Sequence, residues 1–591
     1  MKKYLLFLLV CSACSFIAKG VPAYPDYVNI TQPDGSEIKI RIIGDEYGHF
    51  IMNQDGEYLK PDETGFYVKY DPDVEKERMI FEKRRLQKSS KYNAGNNKKG
   101  IGLLSKANFP TQGEPRSLVV LADFPNKSFR GDNPADYFNR MLNSDKFTDH
   151  GAIMSVRQYF KENSNGLFVP QFDVIGPVTL PNNYQYYGEN VIKNNDIVGD
   201  YLDDARPWEI VTDACKILKE QGFDFSVYDC NDDGEIDNIY IFYAGYGEAD
   251  GGEPSTIWPH SENLFDILKG EDPIELDGLL LNHYACSNEL QTATQLPDGF
   301  GTFLHEFSHV LGFPDLYPLN GEAVITPDYW DVMDTGCYLN NSRTPPCYSS
   351  FERFAFGWLE PEIIVEEGEY ELTALSKPDG NAYLIYTSEG EDNPGEFFML
   401  ENRQKHKEDK YIPGHGMLVW HIDFDQDDWD DNMINSDPAH PRVRIIEADN
   451  TPGHYDILEL PGQMPVLVFN PENEGDPFPG SNGITNFTKD STPAFLDWND
   501  NPTGFDIIDI TESASGLIKF RITDNRENNI VGISNSDKGN IFIDLKDPES
   551  LKNALPLYDI SGKLIINTSQ TLSNIKPGFY ISQKLGKIIV R

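Results

Sequence analysis

Basic residues are scarce in this 591-residue chain: Lys and Arg total 50 against 95 Asp and Glu, a formal charge of −45 at pH 7. A surface of that sign repels phosphate backbones and anionic lipid, which argues against nucleic acid as a partner. Long apolar runs are missing as well. After Val10 no stretch approaches the roughly eighteen apolar residues of a membrane-crossing helix, so no transmembrane anchor is expected in the mature chain. Cysteine is sparse, with seven in all, and Cys11 and Cys14 lie in the leading segment. The other five, Cys215, Cys230, Cys286, Cys337 and Cys347, cannot all pair. Cys337 and Cys347 could close a short loop in an oxidising compartment, and no zinc-type Cys-x-x-Cys pair is present. Neither a Gly-x-Ser-x-Gly elbow nor a phosphate-binding loop is evident, and no internal repeat recurs at a fixed period.

What is present is enough apolar and aromatic residue, 39% and 12%, to build packed domains. The length calls for several of them. Lys2 and Lys3, the apolar run Tyr4 to Val10 and the small residues up to Ala18-Lys19-Gly20 read as a signal peptide cut near Gly20, which implies a secreted or cell-surface protein. Ser12-Ala13-Cys14 leaves a lipoprotein reading open. Val28 to Tyr70 alternates in polarity between turn signals at Pro33-Asp34-Gly35, Asp55-Gly56 and Glu63-Thr64-Gly65, a small β unit. Asp73 to Asn97 is densely charged and reads as a helix entering a linker, where Lys83-Arg84-Arg85 and Lys98-Lys99 offer processing sites. From Ser117 onward buried-type strands alternate with amphipathic stretches, and beyond Pro361 the chain turns β-rich. The expected architecture is α+β and multidomain: a signal peptide (1–20), an N-terminal β prosegment and linker (21–112), a domain with a mixed twisted sheet and helices (113–361), a β-rich accessory domain (362–528) and a C-terminal β-sandwich (529–591).

The chemistry concentrates in Thr302 to Tyr317, TFLHEFSHVLGFPDLY. His305 and His309, four residues apart, share one face of a helix and can grip one metal. Zinc suits two neutral imidazoles plus a position left open for water, and Glu306 beside the first histidine is placed to act as general base on that water. Gly312 permits a sharp exit from the helix, Pro314 stiffens it, and Asp315 can swing back as third ligand. Glu352, on a probable helix further on, is the rival third ligand. Trp330-Asp331-Val332-Met333-Asp334 then offers a methionine in a turn.

HEFSHVLGFPDLY followed by WDVMD resembles the metzincin pattern, and within that clan the M6 peptidases of the immune inhibitor A type. SVRQYFKENSNG at Ser155, FFMLENRQ at Phe397 and the GHGMLVWHID run ending at Asp423 are similar to further blocks of that family, so the resemblance spans Gly113 to Asp524. It implies a metzincin-like fold, a zinc endopeptidase acting on proteins or peptides, and Met333 as the Met-turn residue. Asp315 stands where most metzincins carry His, a variant this family also shows. Tyr329 and Tyr338 are both available to stabilise an oxyanion. The closing segments LYDISGKLI, IKPGFYIS and KIIVR resemble sorting domains of type nine secretion, which implies secretion machinery as a partner.

Asp229, Asn231, Asp233, Gly234, Glu235 and Asp237 repeat the front half of an EF-hand-like loop, so calcium is the second expected cofactor, although Tyr240 takes the place of the closing Glu. His260, His415 and His421 lack the paired spacing of the motif helix and read as structural. The leading function is therefore a secreted zinc endopeptidase made as a zymogen. The alternative is a surface adhesin or carbohydrate-binding protein with a structural zinc site, against which an intact Glu306 argues, because a structural site has four protein ligands.

Overall fold

A computed structural model of the chain describes residues 19–74 and 109–525, less 63, 73, 196–198, 269–273, 319–324, 388–394, 459–465 and 471, together with strands within 541–590. The apolar leader up to residue 18 and the charged stretch with its basic doublets lie outside the described residues.

The sequence Ile239–Tyr246, IYIFYAGY, is buried along nearly its whole length, as a strand covered on both faces must be. It forms the middle of a six-stranded sheet. On one side it pairs in parallel with Arg116–Asp123, which pairs in parallel with Gln171–Thr179. On the other it pairs in parallel with His283–Leu290, and beyond that lie two antiparallel strands, His260–Asn263 and then Lys19–Gly20. Successive side chains of a strand point to opposite faces, and here that period of two divides the interior. Val119, Leu121, Tyr240 and Phe242 face one core, in which the helix Gly301–Val310 places Phe303, Leu304 and Phe307. Leu118, Val120, Ile239 and Ile241 face a second core, built on Ile210, Val211, Ala214 and Leu218 of the helix Glu209–Glu220. The motif helix is thus clamped between the sheet and the next layer, and all ten of its residues are buried.

That next layer is the β-rich region. Glu362–Ile363, Ala382–Tyr386, Glu396–Arg403, Gly416–Asp423 and Val443–Ile445 form one five-stranded sheet. Its Leu384, Phe397, Met399, Leu418 and Trp420 enter the same core as the motif helix. Its other face, with Ile385, Phe398, Leu400, Met417 and Val419, packs on Leu372, Ile507, Ile518, Phe520 and Ile522 of the three-stranded sheet Gly368–Leu372, Ile518–Asp524, Phe505–Glu512. This is a sheet-on-sheet sandwich. The buried guanidinium of Arg403 ties it inward, bonding Asp409 and Glu401 and reaching the carbonyls of Cys347 and Trp330.

The N-terminal β unit is a five-stranded antiparallel meander, Val28–Thr31, Glu37–Asp45, Gly48–Asn53, Tyr58–Pro61 and Tyr67–Lys69. Gly35, Gly56 and Gly65 take the left-handed conformations its turns need. Val21, Tyr24, Val28, Ile40 and Ile42 form one apolar cluster with Trp258, Cys337 and Tyr338, so the unit docks on the region of the six-stranded sheet. At the C-terminus the described strands make one five-stranded sheet, in which Ile541–Ile543, Gly586–Val590, Gly578–Ser582, Leu557–Tyr558 and Leu564–Ile566 lie side by side in that order. Among the described residues this is a single sheet, where a sandwich was expected.

Cys337 and Cys347 do not form the expected bridge, and all five cysteines from Cys215 onward are free thiols. Both residues are fully buried, and the Cys347 thiol donates to Asp409 Oδ2 at 3.1 Å. Among the described residues no helix is long and apolar enough to cross a membrane.

Candidate active site

The motif helix ends at Val310, and Gly312 follows at φ +93°, where a residue with a Cβ is strained. The Gly312 N–H bonds the carbonyl of His309 and the Phe313 N–H that of Ser308, the paired bonds of a Schellman stop. This turn also sets a ligand, because the Phe313 carbonyl lies 2.7 Å from Nδ1 of His309. The second histidine is set from elsewhere: Nδ1 of His305 lies 2.9 Å from the carbonyl of Val332. A carbonyl can only accept, so both Nδ1 atoms carry the proton and both Nε2 lone pairs point inward.

The inward atoms converge. His305 Nε2 and His309 Nε2 are 3.2 Å apart, and Asp315 Oδ1 lies 3.1 Å from each. Among the described residues this is the one group of three or more His, Cys, Asp or Glu side chains arranged to hold a metal. Three electron pairs at that spacing with no proton between them repel unless a cation sits among them, and Asp315 Oδ1 accepts no hydrogen bond. Ligands about 2.0–2.1 Å from a tetrahedral zinc would lie about 3.3 Å from one another, so the triad fits that ion. Asp315 is gripped on its other side by Asn432, whose Oδ1 accepts the Asp315 N–H at 2.7 Å and whose Nδ2 donates to Asp315 Oδ2 at 2.6 Å.

Met333 is fully buried. Its N–H bonds Asp331 Oδ1 at 2.8 Å, and its carbonyl accepts the N–H of Leu316 at 3.0 Å, so the turn that orients His305 also fixes the loop carrying Asp315. The rival ligand Glu352 is spent elsewhere. It closes a capping box with Ser349, and burial together with the neighbouring charge of Asp331 pushes its carboxyl well above the usual range. Tyr338 donates to the carbonyl of Pro22 at 2.6 Å.

The chain's own N-terminal segment lies against this centre. Lys19–Gly20 lies as an extra antiparallel strand on the edge strand His260–Asn263. The Val21 N–H donates to Glu306 Oε1 at 3.0 Å, Tyr317 donates its phenol O–H to the carbonyl of Gly20, and Trp258 Nε1 donates to the carbonyl of Val21 at 2.9 Å. Glu46, at the tip of the hairpin joining Glu37–Asp45 to Gly48–Asn53, is half-buried beside them, with both carboxylate oxygens covered and unpartnered. Burial pushes the Glu46 carboxyl well up from the usual range, helped by the charges of Asp45, Asp315 and Glu306. Burial does the same to Glu306, with Asp315 adding to it. A cation in the triad would pull both back down.

The other expected site residues do not converge. Asp229, Asn231 and Asp233 spend their oxygens on the N–H groups of their own loop. Glu235 turns to His283 and Asn282, and Asp237 Oδ2 takes the N–H of Cys230. Calcium receives no support here. His260 sits between the Trp258 carbonyl and the Tyr284 phenol, His421 on Glu396 and His415 on Glu512. Tyr317, Asn432 and Glu46 escaped the sequence reading. Tyr317 lies inside the motif, but a phenol after a turn carries no periodic signal, and the other two are brought in only by tertiary folding.

The site lies in a segment with known counterparts. Residues 111–359 match the family model described as Immune inhibitor A peptidase M6, catalytic domain. Immune inhibitor A of Bacillus thuringiensis subsp. alesti is 27% identical over 269 residues, 39% of this chain and 37% of that protein. Pre-pro-metalloprotease PrtV of Vibrio cholerae serotype O1 (strain M66-2) is 25% identical over 244 residues, 37% of this chain and 26% of that protein. Residues 111–359 are thus similar to a peptidase M6 catalytic domain, and the likeness supports a metalloprotease, a class that usually uses zinc. The chain spans little more than a third of the length of one of these relatives and about a quarter of the other.

Proposed function

We propose that the chain is a secreted zinc-dependent endopeptidase that hydrolyses peptide bonds in proteins and is made as a zymogen. The observation that carries this reading is the convergence of His305, His309 and Asp315 beside Glu306, three protein ligands rather than the four of a structural site. The zinc they would hold supplies Lewis acidity toward the scissile carbonyl and the attacking water. Glu306 takes the proton from that water and hands it to the leaving nitrogen, the place where the Val21 N–H now sits 3.0 Å from its Oε1. Strand addition on the edge His260–Asn263 holds the peptide extended, and burial of the whole motif helix excludes bulk water from the reaction. Val21 and Pro22, which follow the expected signal-peptide cut, engage Glu306, Trp258 and Tyr338, and this occupation supports latency, relieved when the prosegment is removed.

The test is casein hydrolysis by the zinc-loaded full chain before and after limited trypsin treatment, beside the Glu306→Gln variant and a chelated sample. Activity is expected after trypsin only, and Glu306→Gln should lower it about 100- to 10,000-fold with zinc retained. A processed, zinc-replete wild type that cuts nothing across a broad peptide library would reject the reading.

A further inference from the structure

The Gly20–Val21 peptide lies across the motif like a bond about to be cut. Its nitrogen is against Glu306, and its carbonyl oxygen accepts the O–H of Tyr317. The carbonyls of Gly20, Val21 and Pro22 are taken in turn by Tyr317, Trp258 and Tyr338, so the segment is held in a defined register by its backbone. The Gly20 carbonyl stands in for the scissile carbonyl of a substrate and Val21 N for its leaving nitrogen. Tyr317 is itself firmly placed. It is fully buried, its ring stacks on that of the ligand His305 at 6.2 Å and 27°, and it packs against Tyr47.

We propose that Tyr317 is a catalytic residue, the donor that stabilises negative charge on the scissile carbonyl oxygen. The assignment rests on the peptidase reading above. In the step, the oxygen of water bonds the carbonyl carbon, the carbonyl π pair moves onto its oxygen, and the water proton goes to Glu306. The Tyr317 O–H keeps its proton and shortens its bond to the charged oxygen. When the C–N bond breaks, the electron pair leaves with nitrogen, which receives the proton from Glu306, and the carbonyl reforms. A donor aimed at the developing charge rather than at the ground state raises kcat more than it lowers KM. Of the two phenols that the motif region first suggested, Tyr338 is aimed two peptide groups too far along the segment, at Pro22.

The experiment compares trypsin-activated, zinc-loaded wild type, Tyr317→Phe and Tyr338→Phe on one internally quenched peptide. It also measures the affinity of each for a phosphinic peptide, whose phosphinate oxygen occupies the place of the charged carbonyl oxygen, together with zinc content and thermal midpoint. Tyr317→Phe is expected to lose about 100- to 1,000-fold in kcat with KM changed less than about 3-fold, to lose phosphinic-peptide affinity in step, and to keep its zinc and its melting point. Tyr338→Phe should lose kcat by less than about 10-fold. If Tyr317→Phe keeps kcat within about 3-fold of an active wild type, or only raises KM, the assignment fails while the peptidase reading stands. Loss of zinc or of fold along with activity would make the phenol structural and overturns it too. A wild type that cuts nothing removes the peptidase reading and this assignment together.

Discussion

Asn432 offers a sharp test of how the metal centre is built, because it lies beyond the matched segment and holds Asp315 by two hydrogen bonds, of 2.7 and 2.6 Å. Asn432→Ala removes both. The lost bond to a carboxylate is worth about 1.5–3 kcal/mol, and the Asp315 N–H left buried without a partner costs about 1–3 kcal/mol more. Part of that cost falls on apo and loaded forms alike. The part that bears on zinc is the freedom Asp315 gains to leave the ligand position, for which outer partners of metal ligands set a scale of about 10- to 100-fold in affinity. The assay is zinc partition between protein and a chromophoric chelator of known affinity, with circular dichroism confirming that the fold persists. A dissociation constant raised about 10- to 100-fold is expected. A folded Asn432→Ala protein whose affinity stays within about 3-fold of wild type would show that Asp315 is held by its own loop and would refute the reasoning.

Gly312→Ala forces a Cβ into the left-handed turn at φ +93° that stops the motif helix. It should cost about 1–2 kcal/mol, lower the thermal midpoint by about 2–8 °C and reduce zinc occupancy, since the same turn orients His309; an unchanged midpoint would count against it. Burial, with the charge of Asp409 beside it, raises the Glu408 carboxyl from 4.5 to about 7. The native state thus binds this proton more tightly than the unfolded chain, so the contribution is complete below the unfolded value and is lost as pH rises through about 7, on the order of 3 kcal/mol in all. Glu408→Gln should flatten the fall in urea midpoint between about pH 5 and pH 8, and equal slopes in variant and wild type would refute the assignment.

The elements that could be read from residues alone are those whose pattern is local. Ile239–Tyr246 announces itself as an unbroken apolar run, Ser155 caps the helix Val156–Asn163 by accepting from Gln158 N, and the turn glycines of the N-terminal meander punctuate its strands. The spacing of His305, Glu306, His309, Gly312 and Asp315 is local in the same sense, because helix period and one left-handed residue suffice to bring those groups near each other. What periodicity does not encode is the company those groups keep. The carbonyl that orients His305 belongs to Val332, the amide that aims Asp315 belongs to Asn432, and Glu306 meets Val21, 285 residues away. Glu352 shows the converse. It has a ligand's chemistry and a plausible place in the order of the chain, yet the capping box with Ser349 claims it first. The acidic loop from Asp229 to Asp237 reads two ways for a related reason, since short Asp and Asn side chains bond readily to nearby N–H groups of their own loop, and the same alternating pattern is shared by a hydrogen-bonded turn and an ion site. A motif in sequence thus names candidate ligands, and the partners on their far side decide which of them face the metal.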